Sequence, residues 1–180
     1  MTTFDLFSND QPKWREELFD GAVVLRGFAL DYEKNLISDI HNIIAMSPPK
    51  KMYTPRGLAM SVTTTSCGAF GWVSDSHGYR YTTRDVQSQQ QWPAMPESFL
   101  TLAQNAAAQS GFQHFQPNSC LINRYEPGTR LTLHQDKNEK DFSQPIVSVS
   151  LGLPAIFLMG GLLRTDKTVR VPLTHGDVVV

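Results

Sequence analysis

Beyond residue 119 the sequence breaks into short apolar runs, and this spacing constrains the fold more than any other feature. The runs fall at 120–125, 130–134, 145–151, 155–159, 168–171 and 177–180, each bounded by Gly, Pro or charge. Runs of that length with such punctuation are strands. An earlier run, 22–25, is apolar throughout and follows Gly21. Two helices are predicted ahead of the strand-rich half. One follows Asp31, read as an N-cap, places Leu36, Ile37, Ile40, Ile43 and Ile44 on one face, and stops before Pro48 and Pro49. The other runs from Pro96 to about Ser110, with Phe99, Ala103, Ala106 and Ala107 at helical spacing and Gly111 closing it. Between them, 51–95 is turn-rich and carries Tyr53, Phe70, Trp72, Tyr79, Tyr81 and Trp92. The expected class is α+β, mainly β: two helices packed on an antiparallel sandwich or barrel.

The last run, 177–180, reads as a core strand just beginning. A sandwich halting there would leave an apolar edge unpaired, so the chain is expected to stop in mid-fold.

Composition bounds the function loosely. The 180 residues are 41% hydrophobic and 18% charged, which suits one domain with a substantial core. A net charge of −1 gives no global attraction to nucleic acid or a membrane surface. Its distribution says more: 1–50 holds five basic against eight acidic residues, whereas 50–84 holds five basic residues and only Asp75. That stretch could face a polyanion, although a solvated loop face is the commoner reading. Cys67 and Cys120 are too few for a disulfide framework and lie in no metal-binding spacing, which points to a reduced, cytoplasmic setting. The N-terminus shows no signal-peptide pattern, and no apolar run is long enough to span a bilayer.

His134-Gln135-Asp136 is the one pattern with evident chemistry. On extended backbone, residues i and i+2 point to one side, so imidazole and carboxylate can reach a common ion. With a remote His, two such ligands make the facial triad of non-haem iron(II) oxygenases. Alone the pattern is weak, since usual residue frequencies supply on the order of 0.2 chance occurrences in a chain this long.

The surroundings strengthen it. LINRYEPG (121–128), LTLHQDK (131–137), PIVSVSLGLPAIF (145–157) and HGDVVV (175–180) together resemble the AlkB family of Fe(II)/2-oxoglutarate-dependent nucleic-acid dealkylases, its bacterial members above all. The resemblance covers nearly the whole chain and is strongest over 117–180. It implies a double-stranded β-helix (jelly-roll) core with N-terminal helices, a nucleotide-recognition lid and C-terminal strands that are missing before Val180. The implied parts are a supporting strand and helix over 1–50, a lid over 51–95, and a helix with an incomplete core over 96–180, within one structural domain.

The resemblance also assigns residues. His134 and Asp136 match the first two iron ligands, and Asn123 and Tyr125 match a pair that binds 2-oxoglutarate. Trp72, Tyr79 and Tyr81 match lid residues that hold a flipped base, with Arg80 placed for phosphate. Arg164 and Asn138 match substrate-contacting positions; Asn138 stands where close relatives carry an acidic residue. No acid–base side chain is nominated. The family's third iron ligand and its carboxylate-binding arginines have no counterpart before Val180, and His175 matches a turn histidine instead. Read from the residues alone, the aromatics are more often core than ligand contacts, and Asn123 and Tyr125 are ordinary strand residues.

The implied activity is oxidative dealkylation of N-alkylated bases in single- or double-stranded DNA, with RNA as a second substrate, for direct repair. It uses Fe(II), 2-oxoglutarate and dioxygen, in a cytoplasmic monomer. Two other readings stay open: a relative that binds nucleic acid without turnover, and an oxygenase that acts on protein side chains.

Overall fold

The computed structural model describes residues 13–137 and 139–180. Strand β1 (Trp14–Phe19) pairs antiparallel with β2 (Ala22–Arg26). The uninterrupted apolar run of β2 follows from its position, for both of its faces are covered. Val23 and Leu25 pack with Leu36, Leu102, Ala106, Val178 and Val180, while Val24 packs with Val171, Leu173 and Val179. A strand buried on two sides cannot alternate apolar with polar. β1 escapes sequence reading for the opposite reason: Trp-Arg-Glu-Glu-Leu-Phe is largely exposed and carries the charge of an edge strand.

A 3-10 turn (Phe28–Tyr32) leads into α1 (Glu33–Met46), and α2 is Glu97–Gln109. Asp31 is therefore not the N-cap. It lies inside the 3-10 turn and pairs with Lys13, while Tyr32 takes the cap position without a side-chain bond. α1 stops before Pro48, and α2 ends where Gly111, at φ 98°, turns the chain so that the Phe112 N–H reaches the Ala107 carbonyl. Both helices lay their apolar faces on β2, and each fully buried Leu or Ile there contributes about 1.5–3 kcal/mol.

The segment expected to be turn-rich is largely strand. β3 (Lys50–Tyr53), β4 (Ala59–Gly68) and β7 (Ser119–Arg124) form an antiparallel sheet in the order β3-β4-β7. β4 reads Ala-Met-Ser-Val-Thr-Thr-Thr-Ser-Cys-Gly; its hydroxyls look loop-like, yet Thr and Val favour strands. β5 (Gly71–Asp75) and β6 (Gly78–Thr82) make a hairpin that is a sheet by itself. The Trp92 ring lies against Gly71 so closely that a Cβ there would sit 2.2 Å from it, and only glycine fits.

β8 (Ser148–Val149) and β11 (Val178–Val179) complete the first sheet in the order β1-β2-β11-β8. The unpaired edge expected at 177–180 is thus not found. Val178 and Val179 pair on both sides, and Val180 exchanges two backbone hydrogen bonds with Val23. β9 (Ala155–Gly160) and β10 (Thr168–Leu173) form a further two-stranded sheet, and Ile156, Leu158 and Val169 on it are exposed.

Two other expected strands are corrected. Residues 130–134 are irregular, and 145–151 contributes only Ser148–Val149. Among the described residues no strand runs beside 130–134, so side chains take up its backbone groups instead. No helix among the described residues is long and apolar enough to cross a membrane.

Candidate metal centre and its aromatic lid

The geometry at His134 and Asp136 is set by short-range hydrogen bonds. His134 Nδ1 lies 2.7 Å from the Thr132 carbonyl oxygen, which can only accept, so in the neutral ring Nδ1 carries the proton and Nε2 has the lone pair that a metal takes. That Nε2 is 3.8 Å from Asp136 Oδ1, and both side chains are about half exposed. Metal–nitrogen and metal–oxygen bonds of about 2.0–2.2 Å allow one ion to bridge a gap of that size. A neutral imidazole fixed by a backbone carbonyl, beside a carboxylate, is the donor set a divalent ion takes. The two residues fit Fe(II) as two of its protein ligands. Among the described residues, no group of three or more His, Cys, Asp or Glu gathers around them.

His175 is engaged elsewhere. The Gly152 N–H donates to its Nδ1 at 2.9 Å, so Nε2 bears the proton and donates to Glu33 Oε1 at 3.0 Å. Asp177, two residues on, has a side chain only 2% exposed. Its Oδ1 accepts from the Gly27 N–H at 2.9 Å, and its Oδ2 accepts from Arg26 at 2.7 Å and the Thr174 N–H at 2.9 Å. The HGD turn is therefore a structural latch that ties β11 to the entrance of α1.

The loop bearing these two candidate metal donors is tied down at several points. The Ser61 hydroxyl donates to the Arg130 carbonyl and accepts from the Arg130 N–H. Gln135, between the two donors, sends its Nε2 to the Leu162 carbonyl at 2.6 Å. Arg164 donates to the Leu133 carbonyl at 3.0 Å. The turn joining β9 to β10 thus clasps residues 133–135 from outside. Arg164, expected to touch substrate, spends at least one N–H on this clasp.

Asn123 and Tyr125 are two apart at the end of β7, with Arg124 between them reaching Glu126 at 3.8 Å. Neither the Asn123 amide nor the Tyr125 hydroxyl has a hydrogen-bond partner among the described residues, and burial raises the Tyr125 phenol above its ordinary pKa. Among the described residues, then, neither polar group is taken up by another side chain.

The β5–β6 hairpin gathers the aromatics. Its register pairs Trp72 with Tyr81 and Ser74 with Tyr79, which puts all three rings on one face. Trp72 and Tyr79 stack with centroids 5.8 Å apart. The Tyr81 hydroxyl donates to Glu139 Oε1. Burial, that bond and the negative charges of Glu139 and Asp136 all hold the Tyr81 phenol above its ordinary pKa. The aromatic face and the metal loop are therefore in contact. Sequence reading missed Glu139, which gave no signal beyond lying three residues past Asp136.

Arg80 points to the other face. Its guanidinium forks onto Asp75 with two bonds of 2.8 Å, and the fork holds the Asp75 carboxyl well below the usual range. The side chain expected to meet phosphate is occupied in bracing the hairpin. Asn138 lies outside the described residues.

A β-rich fold presenting an imidazole–carboxylate pair beside an aromatic hairpin is compatible with the metal-dependent oxygenases whose triad contains such a pair. Comparison with known proteins agrees. Residues 21–180 match the family described as the 2OG-Fe(II) oxygenase superfamily. The alpha-ketoglutarate-dependent dioxygenase AlkB of Escherichia coli (strain K12) is 53% identical over 176 residues, which are 98% of this chain and 81% of that protein. The AlkB homolog of Caulobacter vibrioides (strain NA1000 / CB15N) is 41% identical over 132 residues, 73% of this chain and 58% of that protein. The solved structure of OsALKBH1 superposes with a TM-score of 0.80 at 26% identity, covering 92% of this chain and 81% of that one. The chain belongs to the 2OG-Fe(II) oxygenase superfamily. Within it the chain is an AlkB-type dioxygenase that works with Fe(II), 2-oxoglutarate and dioxygen, on the jelly-roll fold expected from its motifs.

Proposed function

We propose that this protein removes alkyl groups oxidatively from the ring nitrogens of nucleic-acid bases, with alkylated DNA as substrate and RNA as a second. The observation that carries the reading is the contact between lid and metal loop: Tyr81, on the aromatic face with Trp72 and Tyr79, bonds to Glu139 three residues beyond Asp136. A flat apolar face over a metal site suits a base taken out of its stack, since stacking on an aromatic ring is worth about 1–3 kcal/mol. The relatives' names agree, for they include a tRNA demethylase of Schizosaccharomyces pombe and a nucleic acid dioxygenase of Homo sapiens.

His134 Nε2 and Asp136 would hold the iron, with His134 oriented through its Nδ1–H and Thr132. Asn123 and Tyr125 would bind 2-oxoglutarate with polar groups that no other described residue engages. With 2-oxoglutarate and dioxygen, Fe(II) supplies the oxidising equivalent that hydroxylates the N-linked alkyl carbon. The hydroxylated carbon leaves as an aldehyde and the base is restored. This chain's residues position the substrate. Trp72 and Tyr79, stacked on each other, would present a flat apolar face to the base, and Tyr81 would hold the hairpin to the loop beside it. Arg164 keeps the metal loop in place and offers its remaining N–H groups to the substrate backbone. Arg80 braces the hairpin through Asp75, and Asn138 keeps the substrate-contacting role that the family resemblance gives it. The protein acts as a cytoplasmic monomer on this reading.

The test is product formation. A methylated oligonucleotide incubated with protein, Fe(II), 2-oxoglutarate and oxygen should yield formaldehyde and succinate in equal amounts, and His134→Ala should abolish both. Binding of the oligonucleotide without either product would leave a recognition protein in place of an enzyme. Turnover on a peptide but not on the oligonucleotide would move the activity to protein side chains.

A further inference from the structure

Cys67 and Cys120 are distant in sequence, but the pairing of β4 with β7 places them directly opposite each other. Residues so opposed in an antiparallel sheet project from the same face, with Cα atoms about 4.5 or 5.5 Å apart according to the type of pair. Either spacing lies inside the range of about 4.4–6.8 Å that a disulfide spans. Both thiols are free, Cys67 fully buried and Cys120 only partly. Alternation along β7 places Cys120 with Ile122 and Arg124, on the face away from Asn123. The pair is therefore no part of the proposed iron and 2-oxoglutarate site.

We propose that Cys67 and Cys120 form a peroxide-reactive thiol pair that closes to a disulfide between β4 and β7. The two thiols have different roles. Cys67, shut away from water, keeps its proton, and its burial together with Cys120 pushes its pKa up. The neighbouring Cys67 thiol, placed opposite by the strand register, lowers the Cys120 pKa and so favours its thiolate. The thiolate is the nucleophile, and Cys120 is the one a small oxidant can reach. Its sulfur attacks a peroxide oxygen, the O–O bond breaks, and the departing oxygen leaves as water once protonated. Cys120 is then a sulfenic acid. The Cys67 sulfur displaces that hydroxyl, the S–S bond forms as the S–O bond breaks, and the Cys67 proton leaves with the hydroxide as a second water. In sum two thiols lose two electrons and hydrogen peroxide is reduced to two waters.

The crosslink would close a loop of roughly fifty residues and fasten the strand that ends in Asn123 and Tyr125 to its neighbour. The full-length chain, reduced and free of metal, is treated with hydrogen peroxide, and its thiols and peptides are followed by mass spectrometry. Both thiols should vanish together, a Cys67–Cys120 linked peptide should appear, and dithiothreitol should restore the starting mass. The melting temperature should rise on oxidation and fall back on reduction. In Cys67→Ser, Cys120 should proceed to sulfinic or sulfonic acid, because no partner traps the sulfenic acid. In Cys120→Ser, Cys67 should stay reduced; Cys120→Ala serves in its place if the serine variant does not fold. Wild-type Cys120 gaining oxygens while Cys67 stays reduced, thiols that resist peroxide, or a disulfide between two molecules would each overturn the proposal.

Discussion

Replacing Asp177 with alanine should cost about 3 kcal/mol of folding stability, although the residue touches no ligand. Its carboxylate accepts from the Gly27 N–H at 2.9 Å, the Thr174 N–H at 2.9 Å, the Thr174 hydroxyl at 3.1 Å and Arg26 at 2.7 Å. Hydrogen bonds to a charged group are worth about 1.5–3 kcal/mol each, but they do not add, and removing one partner of a buried ion pair costs about 3–5 kcal/mol. The low end applies because Arg26 also bonds to Glu16 and the Pro172 carbonyl, so its charge is not abandoned. Asparagine keeps one acceptor oxygen and should fall between wild type and alanine. The sign of the pH dependence follows from the same contacts. Burial disfavours the charged carboxylate, yet the Thr174 and Gly27 N–H groups and Arg26 outweigh it, and the pKa lies below the ordinary value. Stabilisation is then complete above the unfolded value of about 3.9 and is lost as the pH falls through the lower folded-state value. Urea denaturation of wild type and Asp177→Ala, at neutral pH and in acid, measures the gap. A gap below about 1 kcal/mol at neutral pH, or one that stays constant into acid, would refute the reasoning.

Other expectations concern the site. Gln135→Met removes the bond to Leu162 and should weaken Mn(II) or Co(II) binding about fivefold, the equivalent of one hydrogen bond of about 1 kcal/mol; unchanged metal titration curves would show that the clasp does not position the ligands. Tyr81→Phe frees the hairpin from Glu139 and should raise KM for a methylated oligonucleotide several-fold while kcat holds. A fall in kcat at constant KM would put Tyr81 in the chemistry instead. Asn123→Ala should weaken 2-oxoglutarate binding about tenfold, measured calorimetrically, with the melting temperature little changed; equal affinity would remove Asn123 from the co-substrate site. Arg80→Ala should lower the melting temperature as well as weaken oligonucleotide binding, because the Asp75 fork is lost with it; an effect on binding alone would return Arg80 to the phosphate role.

What the sequence disclosed depended on whether a residue's signal was local. Val23, Val24 and Leu25 declare a two-sided strand because both faces of β2 need apolar side chains. His134 and Asp136 could be nominated because two donors two apart in sequence can reach one ion, and the structure brings their side chains to 3.8 Å. Asp31 misled because an N-cap residue and a residue in a 3-10 turn look alike until the path into α1 is known. Residues 130–134 alternate like a strand, but a strand needs a neighbour, and pairing is not local. Arg80 was assigned to phosphate and Arg164 to substrate, and each is found bonded within the protein. Which carboxylate or carbonyl would claim them, Asp75 or Leu133, depended on register and on a distant turn. Cys67 and Cys120 carried no signal at all until β4 met β7.

The β5–β6 hairpin forms a sheet of its own, and its backbone ladder joins no other strand. Its grip on the metal loop is the side chain of Tyr81 meeting Glu139. In evolutionary terms this is a module whose seam is fixed at Gly71, Val73 and Ser74, buried against Trp92 and the Tyr53 carbonyl, while its exposed positions are open to change. Ring size, charge and loop length at those positions can drift, and with them the adducts accepted, while the residues proposed to hold iron and 2-oxoglutarate stay under separate selection. A transplanted hairpin that keeps a hydroxyl opposite Glu139 should carry its donor's substrate range with it.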